Sequence, residues 1–219
     1  MKAVFPPWTN KLRILIGIAV VGGLAYVSTV IYFGFSPEAT DVGYRPEQPV
    51  LYSHALHAGE LGIDCRYCHT TVERAKQAAI PPTQTCMGCH DKVRDESRLL
   101  QPVRDSWTSG MPIKWVKVHD LPDYAYFDHS AHIQAGVGCV SCHGRVDKME
   151  VVTQEKTLSM GWCIDCHRNP EPHIRGKKYV TVMDDASLPD VQAAERQTNL
   201  DGATAHGVKP STDCSTCHR

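Results

Sequence analysis

Aromatic residues make up only 7% of this 219-residue chain, and no charge imbalance exists: 23 Lys and Arg stand against 24 Asp and Glu. A net charge of −1 excludes the strongly basic surface that nucleic acid would require. Few aromatics beside 16 Gly and 14 Pro leave little material for a conventional apolar core. The fold expected is therefore mainly α with extensive coil, short helices joined by long irregular loops, and little sheet. A spare cysteine is also missing. All ten cysteines are used by five copies of Cys-x-x-Cys-His, which begin at Cys65, Cys86, Cys139, Cys163 and Cys214.

That spacing carries chemistry. Two cysteines three apart can each form a thioether to one vinyl group of a haem, and the next residue then offers an imidazole to the iron. The reading predicts five covalent c-type haems, on Cys65 and Cys68, Cys86 and Cys89, Cys139 and Cys142, Cys163 and Cys166, and Cys214 and Cys217. The proximal iron ligands are His69, His90, His143, His167 and His218. A disulfide framework gives no reason for a histidine after every second cysteine. Zinc ribbons take CxxC pairs in twos, whereas five is odd. Thioredoxin-type redox motifs lack the histidine.

An electron-transfer haem usually takes a second strong axial ligand. Seven of the twelve histidines lie outside the motifs, so at least two have another role. Placement separates them. LYSHALHAGELGIDCRYCH at 51–69 and YFDHSAHIQAGVGCVSCH at 126–143 share an aromatic residue, His-x-x-His, a small-residue loop and the haem motif. Each then continues to a second motif, so a two-haem module is duplicated and a fifth haem follows. His54 and His57, like His129 and His132, fall on one helical face. One of each pair can serve the local haem while its neighbour reaches another. His119, in KWVKVHDLPDY, is a further distal candidate, followed by His206 in a Gly- and Thr-rich stretch and His173 in NPEPHIRG. Met149 and Met160 are thioether alternatives, although methionine is more often packing.

One apolar run stands out. Ile14 to Phe35 carries no charge and is long enough, at about 1.5 Å per residue, to cross an apolar layer of about 30 Å. Lys2, Lys11 and Arg13 precede it, while Glu38 and Asp41 follow. The positive-inside rule keeps the amino end cytoplasmic. A cleaved signal peptide is the alternative, but the run exceeds a usual h-region and lacks a convincing A-x-A site. Covalent haem attachment is expected outside the bacterial inner membrane, so both inferences place the motifs on the same side. The organisation expected is a cytoplasmic tail at 1–13, a transmembrane helix at 14–35, a Pro-rich linker at 36–50, two-haem modules at 51–90 and 126–168, a connector at 91–125, and a segment with the fifth haem at 169–219.

No motif variant such as CxxCK marks an iron with an open position, and ligands outnumber irons. A carrier without substrate chemistry is thus expected. Together the single span, the repeated His-x-x-His units, PPTQTCMGCH, LSMGWCIDCHRNPEP and VHDLPDYAYFDHSAH resemble the pentahaem, cytochrome c3-like subunit of bacterial alternative complex III. The resemblance implies a relay from a quinol-oxidising, iron–sulfur partner to a downstream periplasmic carrier or terminal oxidase. Its partners would be an iron–sulfur subunit, a quinol-binding membrane subunit and a monohaem cytochrome. His54, His57, His119, His129 and His132 match that family's distal positions. The alternative is a small quinol dehydrogenase of the kind that feeds periplasmic nitrate or nitrite reductases. A structural role for the haems is a third reading.

Overall fold

The computed structural model describes residues 6–35, 40–184 and 210–218. The chain divides into two units, Met1–Asp41 and Val42–Arg219. In the first, a 3-10 turn over Pro7–Lys11 opens on a proline at its first position, where the missing N–H costs nothing. It leads into α1, Leu12–Phe35, a helix of 24 residues. It begins two residues before the expected span and is long and apolar enough to cross a membrane.

The second unit is built of short helical pieces. A π-helical turn at Ala55–Glu60 precedes α2 (Cys65–Cys68), α3 (Thr83–His90), α4 (Gln101–Ser109), α5 (His129–Gln134), α6 (Cys139–His143) and α7 (Met160–Arg168), and a last turn spans Cys214–Cys217. No strand forms among the described residues, where pairing is limited to the bridges Ala125–His218 and Val137–Ile174. This is the mainly helical and irregular fold expected. Its apolar interior is small: Val50, Val103, Ile133, Ile174 and Val180 are the buried apolar side chains among the described residues. A domain of this length normally buries far more, so the chain by itself does not supply an ordinary core.

Turn chemistry explains why the pieces are short. Asp64 caps α2 by accepting the Arg66 N–H at 2.8 Å, and Asp128 caps α5 by accepting the N–H of Ser130 at 2.8 Å. Gly110 ends α4 in the left-handed conformation, with φ at 70°.

The two halves of this unit meet along definite backbone contacts. Ala55 donates its N–H to the Met149 carbonyl at 2.9 Å. One turn later Gly59 lies so close to the Asp147 carbonyl oxygen that a Cβ would overlap it. Only glycine permits that approach.

Candidate haem centres

Each Cys-x-x-Cys-His lies on a helical turn, which brings the two cysteines onto one face with the histidine one step further round. None of the ten cysteines is paired in a disulfide. Burial raises the pKa of Cys142 to about 12, with Cys166 and Cys163 adding to the effect. The Cys65 and Cys139 side chains lie close enough to perturb each other, which lowers the pKa of the first and raises that of the second. The first and third motifs are therefore adjacent.

The histidines show a common device. In four of the motifs the ring Nδ1 faces a backbone carbonyl: His69 to Ala79 at 2.9 Å, His90 to Val93 at 2.8 Å, His167 to Ser211 at 2.6 Å and His218 to Tyr124 at 3.1 Å. Three histidines outside the motifs do the same: His57 to Ser53 at 2.8 Å, His129 to Lys76 at 3.0 Å and His132 to Asp128 at 2.7 Å. A carbonyl can only accept, so Nδ1 carries the proton and Nε2 keeps a free lone pair. That is the tautomer and orientation of a metal-ligating imidazole.

Several of the histidine rings approach one another in twos. A bond from a first-row metal to imidazole nitrogen is about 2 Å, so two rings on opposite sides of one iron have centroids roughly 6 Å apart. His57 and His90 are 6.2 Å apart, His129 and His143 are 6.4 Å apart, and His132 and His167 are 6.0 Å apart. The sequence repeat recurs at atomic detail. Tyr52 lies edge-on to His54 and stacks on His57, with centroids at 4.7 and 4.4 Å. Phe127 lies edge-on to His129 and tilts over His132, at 4.8 and 4.5 Å. In both modules the second histidine of His-x-x-His approaches the histidine of that module's second motif.

Two imidazoles hold a buried nitrogen without a partner: Nδ1 of His54 and Nε2 of His119. Burial lowers the pKa of His54 to about 4, and the nearby His69 and His57 lower it further. His119 is lowered by burial first and His129 second. His143 falls to about 3 through burial and the surrounding histidines. Such rings stay neutral at physiological pH, as an iron ligand must. The His119 ring lies edge-on to His143 with centroids 4.5 Å apart, too near for an opposed pair on one iron.

The donor set thus fits covalent haem: five thiol pairs with an adjacent imidazole, opposed imidazoles at the right separation and little apolar core of the chain's own. It does not fit a bare ion. Among the described residues no group of three or more His, Cys, Asp or Glu is arranged to hold one. The remaining candidates are placed differently. His173 lines an outer cavity of about 300 Å³ with Trp162 and Arg175. Met149 is half-buried, with its carbonyl engaged by Ala55, while Met160 is 64% exposed at the start of α7. His206 lies outside the described residues.

Sequence reasoning missed the carbonyl partners of Nδ1, which no residue type announces, and it missed Asp64. This carboxylate receives Arg66 Nε and Nη2, both at 2.9 Å, and the Thr181 hydroxyl at 3.0 Å. Arg66 is the main reason its pKa falls from 3.8 to about 2. A carboxyl depressed on folding adds stability that is complete above its unfolded pKa and is lost as pH falls through the folded one. Acid unfolding should therefore steepen between about pH 4 and 2, and Asp64→Asn should flatten that interval in a circular-dichroism titration.

Comparison with known proteins agrees with the geometry. Residues 125–219 match the family profile described as cytochrome c7 and related cytochrome c. The chain is also similar to the menaquinone reductase, multiheme cytochrome c subunit, of Nitratidesulfovibrio vulgaris strain Hildenborough. Identity is 29% over 153 residues, covering 59% of this chain and 71% of that relative. Motifs, imidazole geometry and both likenesses converge on one identity: the chain is a multihaem cytochrome c.

Proposed function

We propose that the chain is a membrane-anchored pentahaem electron relay, a subunit of a quinone-linked respiratory complex. The observation that carries this reading is the set of three opposed imidazole pairs at 6.0–6.4 Å, each joining a motif histidine to one outside the motifs. Haem held between such residues would supply one-electron exchange. The chain's own residues do the rest. Cysteine pairs fix each group in place, Nδ1 bonds to carbonyls hold the rings in register, and Tyr52 and Phe127 brace the paired histidines.

His57, His129 and His132 are assigned as the second ligands opposite His90, His143 and His167. His54, beside His69, serves the first motif, and the fifth is completed by His119 or His206. His173, Met149 and Met160 are then left outside the ligand set. With an imidazole on each side of every iron, no position is open to substrate. The chain is a carrier and the catalytic step belongs to a partner.

The helix α1 is read as an uncleaved anchor with its amino end in the cytoplasm and the haem domain outside the inner membrane. Two complexes suit such a subunit. The motifs that resemble alternative complex III point to quinol oxidation, with electrons passing from an iron–sulfur partner to a monohaem cytochrome or other carrier. The Nitratidesulfovibrio relative, by its name, belongs to a menaquinone reductase, in which electrons run toward the quinone. The direction is decided by purifying the complex from membranes, counting haems per chain and mixing it with either a menaquinol analogue or a reduced periplasmic cytochrome. Reduction of the haems by the quinol within the complex supports oxidation. Reduction by the cytochrome alone supports the reverse. If the isolated chain oxidises the quinol without other subunits, the small quinol-dehydrogenase reading replaces both.

A further inference from the structure

Within each module, the two haem sites are joined by a helical turn that carries both outer ligands. His54 and His57 do this for the first and second motifs, and His129 and His132 for the third and fourth. Nothing in the sequence says how one module meets the other, yet a relay needs that junction. In the structure the segment from His173 to Val182 makes it. It is fastened to the second module by three backbone bonds. Gly138 donates to the His173 carbonyl at 3.1 Å, Arg175 donates its N–H to Gly136 at 2.7 Å, and Cys139 donates to the Val180 carbonyl at 2.8 Å. The buried Arg175 guanidinium then closes back on the Val182 carbonyl. Val180 is fully buried, so this stretch has a fixed position. The next residue reaches across: Thr181 Oγ1 donates to Asp64, the cap of the first motif, at 3.0 Å. Consecutive residues thus bond to the first cysteine of the third motif and to the residue preceding the first cysteine of the first.

The opposite edge of the junction is Gly59 against the Asp147 carbonyl, with Ala55 bonded to Met149 beside it. Beyond the second module, His167 bonds to Ser211, whose hydroxyl meets Thr216 inside the fifth motif at 2.9 Å.

We propose that Val180–Thr181 on one edge and Gly59 on the other form the joint that sets the spacing of the first and third haem sites, so that the sites run in the order second, first, third, fourth, fifth. This rests on the haem reading above and goes beyond it by naming the inner pair and the two ends. Thr181 and Gly59 are positioning residues: neither supplies an iron ligand.

Electron paramagnetic resonance of the oxidised holoprotein tests this, because neighbouring low-spin irons couple magnetically. The component belonging to the inner pair is defined by its loss both in Cys65→Ala/Cys68→Ala and in Cys139→Ala/Cys142→Ala, and by its survival in Cys214→Ala/Cys217→Ala. Thr181→Val and Gly59→Ala are expected to weaken this component while the pyridine haemochrome count stays at that of the parent. Thr181→Ser is expected to restore it. Should Gly59→Ala fail to accumulate, the Thr181→Val and Thr181→Ser pair decides alone. The proposal is overturned if no component meets the definition, or if it is unchanged in Thr181→Val at full haem content. A parent protein without covalent haem defeats the underlying reading instead, and the haemochrome assay separates the two failures.

Discussion

Replacing His132 by alanine is expected to make one haem of the five high-spin, so that about one fifth of the ferrous haem binds carbon monoxide. The argument begins with α5. Asp128 caps this helix and its carbonyl orients His132 through Nδ1, which leaves Nε2 free, and the His132 and His167 rings lie 6.0 Å apart. Alanine removes that nitrogen without disturbing the cap. On the proposed assignment nothing else on the same turn can substitute, because His129, 6.4 Å from His143 and held by the Lys76 carbonyl, serves the third motif. Haem attachment through Cys163 and Cys166 should survive, so the haem count stays constant while the spin state changes. The axial ligand set governs reduction potential over a wide range, and one component of a redox titration should also shift. His57→Ala is the internal duplicate and should produce an effect of equal size at the second motif. His173→Ala is the control, with no high-spin fraction expected. A wild-type spectrum from His132→Ala would show that another residue serves the fourth iron.

The second large effect is expected from Gly59→Ala. The added methyl group would overlap the Asp147 carbonyl oxygen, a backbone atom that cannot rotate aside. Relief requires the π-helical turn that carries His57 to move away from the 3-10 turn at Val146–Lys148. Overpacking of this kind costs about 1–3 kcal/mol. Thermal unfolding of the holoprotein should shift downward, by several degrees for a domain of this size. Gly62→Ala separates this cause from simple backbone strain: Gly62 has φ at 66° but open space around it. It should cost less and leave the junction intact. Equal losses from the two substitutions would mean that the close approach at Gly59 is not what holds the modules together.

These results bear on how much of the molecule its sequence discloses. The five motifs are legible because the chemistry demands fixed spacing, and the common arrangement of His54 and His57 and of His129 and His132 is legible because the spacing repeats. The mainly helical, irregular fold follows from few aromatics and many turn residues. The partners of each histidine are not legible. His57 meets His90, 33 positions onward, rather than His69, which is nearer in the chain. Neither are the carbonyls that hold Nδ1, since every residue has one. The Thr181–Asp64 bond spans 117 positions and uses two common polar residues, so no local pattern marks it. His119 is an instructive case. Its connector looks ordered, and its buried Nε2 agrees with a ligand role, yet its ring lies against the edge of His143 rather than opposite it.

The His-x-x-His turn has a further consequence. On the proposed assignment, two metal sites that draw ligands from one short helical turn keep their separation when the surrounding loops breathe, because the turn moves both together. Tunnelling falls steeply with distance, so hops inside a module should be almost indifferent to temperature and solvent viscosity. Hops between the modules, which meet through a few polar bonds and one bare backbone contact, should carry whatever such dependence the conductor shows.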